Sequence, residues 1–287
     1  MTSGRNGLKR TSSKPCSFTS LLMSLAVRSA RATTESAAVV TSSFPSHALG
    51  SRLHFAIYLP AGYATSSKRY PVVYVLHGLP ASPKAYQGSQ WIAASVQATG
   101  RHAIVVFPQG ASSAQSDPEY HDWGPGEDWD TALGVELPLY IDSHYRTIRS
   151  RGARAIVGFS AGGYGATMLA LHHPATYAAV ESWSGYFRAT DPTGQTTLDI
   201  DDASAHALVP TLRTKLSRFP TFIAFYVGRS DPTFVPDNLK FDRELTEAGV
   251  RHTFALYAGA HSTSLWETHA KAWLSMAIAH LKRPTAQ

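Results

Sequence analysis

Gly158-Phe159-Ser160-Ala161-Gly162 is the part of this 287-residue chain whose residue types and spacing point most directly to chemistry. The serine stands between the apolar run Ala155 to Phe159 and a helix-like segment, Ala161 to His173, that Pro174 stops. That order describes a sharp strand-to-helix turn, which exposes the hydroxyl while glycines two residues to either side leave room for neighbouring backbone. The helix start behind it supplies free N–H groups and a positive dipole end, both suited to an oxyanion. The bland alternative is a glycine-rich turn that only packs a helix on a sheet. Strand before, helix after and the further Gly163-Tyr164-Gly165 favour a nucleophile.

A serine hydroxyl needs a base, and in proteins built around such a turn the order along the chain is Ser, then Asp or Glu, then His. His172 and His173 end the helix after the serine, where a cation suits the helix terminus. His206 comes too early, His252 opens a strand, and His269 and His280 ride on the last helix. His261 lies in Ala258-Gly-Ala-His261-Ser-Thr, a loop beyond the strand Thr253 to Tyr257, which is where sheets of this kind place their chemistry. The acid belongs in the loop after the preceding strand, Phe222 to Val227, and there Gly228-Arg-Ser-Asp231-Pro supplies Asp231. Its task is to accept Nδ1–H from the base and stabilise the imidazolium. An Asp-Pro turn initiator is the structural alternative for Asp231. Asp237 and Asp242 stand in reserve as acids on a helix-like segment, where they are expected to be surface residues.

Leu76-His77-Gly78-Leu79-Pro80 follows a buried strand, and its glycine lets backbone approach the reacting carbonyl. The expected oxyanion donors are the N–H groups of Leu79 and Ala161. His77 precedes the nucleophile, so a structural role holding this loop suits it better than a base, with contact to substrate as a second use. No metal or organic cofactor is required by this chemistry.

The elements that must position these groups alternate. Leu53 to Leu59, Tyr70 to Leu76, Ala103 to Phe107, Ala155 to Phe159, Tyr177 to Ser182, Phe222 to Val227 and Thr253 to Tyr257 read as strands, several as continuous apolar runs buried on both faces. Thr131 to Tyr145, with a kink or restart at Pro138, Ala161 to His173, Pro236 to Ala248 and Ser264 to Leu281 read as helices. Such alternation predicts an α/β fold, a mostly parallel central sheet with helices on both faces.

With these residues in place the chain resembles the Putative esterase family of α/β-hydrolases, which embraces feruloyl esterases, S-formylglutathione hydrolases and the secreted mycolyltransferases. The resemblance runs from about residue 50 to residue 283 in motif order. It rests on Tyr70-Pro-Val-Val-Tyr-Val-Leu-His-Gly78, Glu136-Leu-Pro with Tyr145-Arg146, Gly158-Phe-Ser-Ala-Gly-Gly-Tyr-Gly165, Ser184-Gly185 and Gly259-Ala-His261 with Trp266. It implies an α/β-hydrolase fold and a triad of Ser160, Asp231 and His261. Tyr120-His-Asp-Trp123 is similar to the segment that borders the substrate cleft in the mycolyltransferases, which makes Tyr120, Trp123 and Trp266 candidate substrate contacts beside His77. Those enzymes carry Glu as the acid and lack Gly-Gly-Tyr-Gly after the serine. The cysteine-bearing motif of S-formylglutathione hydrolases is absent as well.

Composition removes other classes. The formal charge of +6 comes from Arg5, Lys9, Arg10, Lys14, Arg28 and Arg31, so the rest of the chain is neutral and offers no bulk attraction to nucleic acid. The one cysteine, Cys16, lies in the same leader, which excludes a cysteine nucleophile or thiolate-bound metal from the globular part. Residues 1–33 are expected to be a basic leader and residues 34–287 one catalytic domain. Basic residues, the short apolar stretch Phe18 to Val27 and Ala30-Arg31-Ala32 follow the order of an export signal, although Arg28 and Arg31 interrupt it. A disordered basic extension on a cytoplasmic protein fits the same residues. No stretch approaches the roughly 18 to 20 apolar residues of a membrane span, so no stable membrane insertion is expected.

These readings converge on a serine carboxylic-ester hydrolase acting through an acyl-enzyme on a small-molecule or glycan-linked ester. The alternatives are an acyltransferase of the mycolyltransferase type, a serine peptidase, and a non-catalytic binding protein of the same fold.

Overall fold

Continuous apolar runs have no face to offer water, so they pair in the interior of a sheet and are covered on both sides. The computed structural model describes residues 38–88, 90–113, 117–188 and 203–286, so the leader lies outside the described residues. Its strands are Ala38–Ser46 (β1), Ser51–Leu59 (β2), Val72–Leu76 (β3), Ile104–Pro108 (β4), Arg154–Phe159 (β5), Ala179–Trp183 (β6), Phe222–Gly228 (β7) and Thr253–Tyr257 (β8). They form an eight-stranded sheet in the order β1-β2-β4-β3-β5-β6-β7-β8. The pairs β1–β2 and β2–β4 are antiparallel, and from β4 onward every pair is parallel.

The helices are Gln90–Ala98 (α1), Trp129–Thr131 (α2), Leu137–His144 (α3), Ala161–His172 (α4), Ala205–Arg218 (α5), Val235–Glu247 (α6) and Thr263–Ala279 (α7). Alternate strand residues point to opposite faces. On one face Val73, Val75, Val105 and Val157 meet Ile92 and Val96 of α1 and Leu274 and Trp273 of α7. On the other, Val72, Tyr74, Val106 and Ile156 meet Ile141 of α3, Leu169 of α4, Leu212 of α5 and Phe241 of α6. Each such aliphatic side chain removed from water contributes about 1.5–3 kcal/mol. No helix of the described residues is long and apolar enough to cross a membrane.

Two features differ from the sequence expectation. The single helix expected over Thr131 to Tyr145 is α2, a wide π turn over Ala132–Glu136, and α3. The π turn runs directly into Pro138, which falls in the first turn of α3 and has no N–H to give the preceding turn. The strand β1 and the helices α1 and α5 were not anticipated. β1 is rich in hydroxyl residues and sits at the sheet edge, and α5 carries Pro210 in its interior.

Polar groups tie the layers together. Asp130 accepts from His172 Nδ1 at 2.6 Å and also bonds His173 Nε2, joining α2 to the end of α4. Burial raises the Asp130 carboxyl, but these bonds and charges outweigh it and hold its pKa at about 2. Glu181 is fully buried on β6, on the face that α7 covers, and its Oε2 accepts from Trp183 Nε1 at 3.1 Å. Burial pushes its carboxyl well above the usual range.

The unfolded chain ionises Glu181 near pH 4.3 and the folded chain only at higher pH, so the wild type loses stability as pH rises above that point. Glu181→Gln removes the titration and keeps the shape. Its melting temperature relative to wild type is expected to climb between pH 5 and pH 8, as the stability gap widens by up to about 1.4 kcal/mol per pH unit. Thermal melts at both pH values check this, and an unchanging gap would show that Glu181 is ionised in the fold.

Candidate active site

The parallel register brings the carboxyl ends of neighbouring strands level, with Leu76 beside Gly158, Phe159 beside Trp183 and Gly228 beside Tyr257. Loops leaving these ends therefore meet at one edge of the sheet. Ser160 turns from β5 into α4 with φ +56° and ψ −127°, a left-handed backbone that a side chain disfavours and that surrounding contacts must hold. Glycine is needed on both sides of it: a Cβ on Gly158 would lie 2.0 Å from Gly162 O, and one on Gly162 would lie 2.2 Å from Leu76 O.

His261 follows β8 and its Nε2 stands 3.0 Å from Ser160 Oγ. Its Nδ1 stands 3.0 Å from Asp231 Oδ2, in the loop after β7. Asp231 is 2% exposed, and its Oδ1 accepts from the N–H groups of Thr233 at 3.1 Å and Phe234 at 3.0 Å. Ser160, His261 and Asp231 thus form one hydrogen-bonded line, with His261 in the middle. The reserve acids are engaged elsewhere. Asp237 meets His206 Nε2 at 3.0 Å and accepts from Phe187 N at 2.8 Å, and Asp242 meets His252 Nε2 at 2.9 Å. Both therefore hold structure, and the expectation of free surface positions is corrected for them.

The loop after β3 lies against the serine. A Cβ on Gly78 would come 2.8 Å from Ser160 Cβ and 3.0 Å from Phe159 O, so only glycine lets the two segments touch. Among the described residues neither the Leu79 nor the Ala161 amide takes part in a backbone–backbone hydrogen bond, and the Leu79 side chain is 49% exposed. His77 is buried, and Nδ1–H donates to Gly78 O at 3.0 Å. Burial pushes its pKa down, so the ring is neutral. Tyr120 is buried too, and its hydroxyl donates to His77 O at 2.5 Å. Both side chains support the loop from beneath. Trp123 donates to Pro118 O at 2.8 Å and packs against His121 within its own loop.

Trp266 stands edge-on to His261 at 5.2 Å and donates to Ser184 Oγ at 3.1 Å. The Phe234 ring also packs against His261, at 4.8 Å. A cavity of about 340 Å³ opens beside the serine turn between His77, Gly78, Trp91, Phe159, Trp266 and Glu267. Trp91, Phe159 and Phe234 were not singled out from the sequence. Phe159 carried a signal, since it immediately precedes the nucleophile candidate and its side chain must border the turn.

The chain is 30% identical over 143 residues to Esterase Rv1288 of Mycobacterium tuberculosis, a match covering 50% of this chain and 31% of that one. The chain thus spans about a third of the length of this curated relative. Among solved structures, a ferulic acid esterase superposes with a TM-score of 0.71 at 24% identity, covering 85% of this chain and 99% of that one. An S-formylglutathione hydrolase from Agrobacterium tumefaciens superposes with a TM-score of 0.69 at 20% identity, covering 86% and 96%. These likenesses establish the α/β-hydrolase fold. The family model described as Putative esterase matches residues 46–275, nearly all of the folded chain, and the protein is a member of that family.

Proposed function

We propose that the protein is a serine esterase that hydrolyses a carboxylic ester through an acyl-enzyme. The observation that carries this reading is the line Ser160 Oγ, His261 Nε2, His261 Nδ1, Asp231 Oδ2, with 3.0 Å at each hydrogen bond. Family membership and the esterase neighbours support it.

In this reading His261 Nε2 takes the proton of Ser160 Oγ as that oxygen bonds to the ester carbonyl carbon. Asp231, fixed by two backbone N–H groups, holds the Nδ1–H tautomer and stabilises the imidazolium. The carbonyl oxygen becomes an oxyanion to which the Leu79 and Ala161 N–H groups donate. Collapse breaks the bond to the alcohol oxygen, which leaves with the proton from His261. Water then attacks the acyl carbon while His261 takes its proton, and the second collapse returns that proton to Ser160 Oγ and frees the acid. The aromatic cavity by Trp91, Phe159 and Trp266 is suited to an apolar or ring-bearing part of a small ester.

Ser160→Ala is expected to lower hydrolysis of p-nitrophenyl esters by at least about 10⁴-fold while the melting temperature holds, and a fluorophosphonate is expected to label Ser160 alone. A folded variant with near wild-type turnover, or a label found elsewhere by mass spectrometry, would refute the assignment.

Asp231→Asn and Asp237→Asn separate the acid from its neighbour. The first is expected to reduce kcat by about 10⁴-fold, as the amide favours the wrong histidine tautomer. The second is expected to leave kcat near wild type and cost about 1–3 kcal/mol of stability, because it disturbs the bonds to His206 and Phe187. Kinetics paired with urea denaturation read both, and the reverse pattern would move the acid to Asp237.

A further inference from the structure

The amino ends of β5 to β8 enclose a second cavity, at the edge of the sheet opposite the candidate active site. It measures about 650 Å³ and is bounded by the starts of β7 and β8 and by residues next to the carboxyl ends of α5, α6 and α7. Six residue steps along β7, from Phe222 to Gly228, separate the two ends by about 20 Å.

Its lining contains Arg151, Arg213 and Arg251 and no Asp or Glu. Residues beyond the leader carry no net charge, so this is segregation of charge and not a share in a general excess. Arg151 is half-buried and donates only to neutral acceptors, namely Pro174 O at 2.6 Å, Phe219 O at 3.1 Å and Thr221 Oγ1 at 2.7 Å. Arg213 and Arg251 are exposed and have no carboxylate partner among the described residues. His252 also lines the cavity, and its Nε2 meets Asp242 at 2.9 Å. The carboxyl ends of three helices bring about half a negative charge each, which offsets roughly half of the three guanidinium charges. The surplus is positive.

The walls are not only charged. The His280 ring stacks on Phe222 at 4.0 Å with 14° between planes, and Leu216 and Ile223 add apolar surface. A cavity of this size exceeds what a bare ion needs and falls within the range of small-molecule sites. Guanidinium groups match phosphate oxygens in shape as well as charge.

We propose that this cavity is a binding site, separate from the candidate active site, for an organic phosphate with a planar ring. The ring lies along the apolar wall that Phe222 helps to form, and the phosphate faces Arg213 and Arg251.

Calorimetric titration of the full-length protein with phenyl phosphate tests this, with inorganic phosphate and neutral phenyl glucoside as comparison probes. The expected result is one saturable site for phenyl phosphate, tighter than inorganic phosphate, with no saturation by the glucoside. In Arg213→Gln/Arg251→Gln the affinity is expected to fall by about tenfold or more, with the melting temperature and ester turnover retained. Absence of saturable binding at millimolar concentration, equal binding of the glucoside, or undiminished binding by the folded double variant would overturn the proposal.

Discussion

The candidate site depends on one close approach of three backbone segments. β3 runs into the loop carrying Gly78, Gly158 lies one residue before the end of β5, and Gly162 is the second residue of α4, and the three pack so tightly that a methyl group at any of these glycines would meet backbone or Ser160 at under 3.0 Å. The left-handed backbone of Ser160 is disfavoured on its own, and this packing over-determines it. Its consequence is that the nucleophile candidate lies at the tip of the turn with the Gly78 loop directly against it. His77 and Tyr120 belong to the same constraint, since one bonds Gly78 O and the other bonds His77 O.

The remaining catalytic candidates reach the serine because of register, not sequence proximity. Asp231 and His261 lie in loops after β7 and β8, and parallel pairing holds the ends of those strands level with the end of β5. His261 then packs against both Phe234 and Trp266, with Trp266 itself anchored on Ser184. Phe234 also donates its N–H to Asp231, so one residue touches both the acid and the base.

Polar groups are distributed unevenly around this frame. Burial inside the apolar layer under α7 pushes the Glu181 carboxyl up, whereas the two histidines that Asp130 bridges hold its carboxyl down. The two ends of the sheet contrast as well. The carboxyl end gathers a serine, a histidine and a carboxylate beside an aromatic cavity, and the cavity at the amino end is lined by three arginines and no carboxylate.

Much of this was legible from residue order. Apolar runs bounded by turns named the parallel strands, because a strand buried on both faces has no polar positions. The spacing Gly-x-Ser-x-Gly and the chain order Ser, Asp, His named the triad candidates, because a strand-to-helix turn and loops at strand ends are local features that a sequence can carry. β1 was not legible, since a hydroxyl-rich edge strand is defined by its pairing with β2 and not by its own pattern. The π turn before Pro138 was hidden because it lies where Gly134 packs against His173, a contact between residues distant in the chain. Tertiary structure alone decided that Asp237 serves His206, that Trp91 and Phe159 share a cavity wall with Trp266, and that Arg151, Arg213 and Arg251 line one cavity. Each of these joins residues distant in the chain, and no local periodicity records which distant side chains a fold will set face to face.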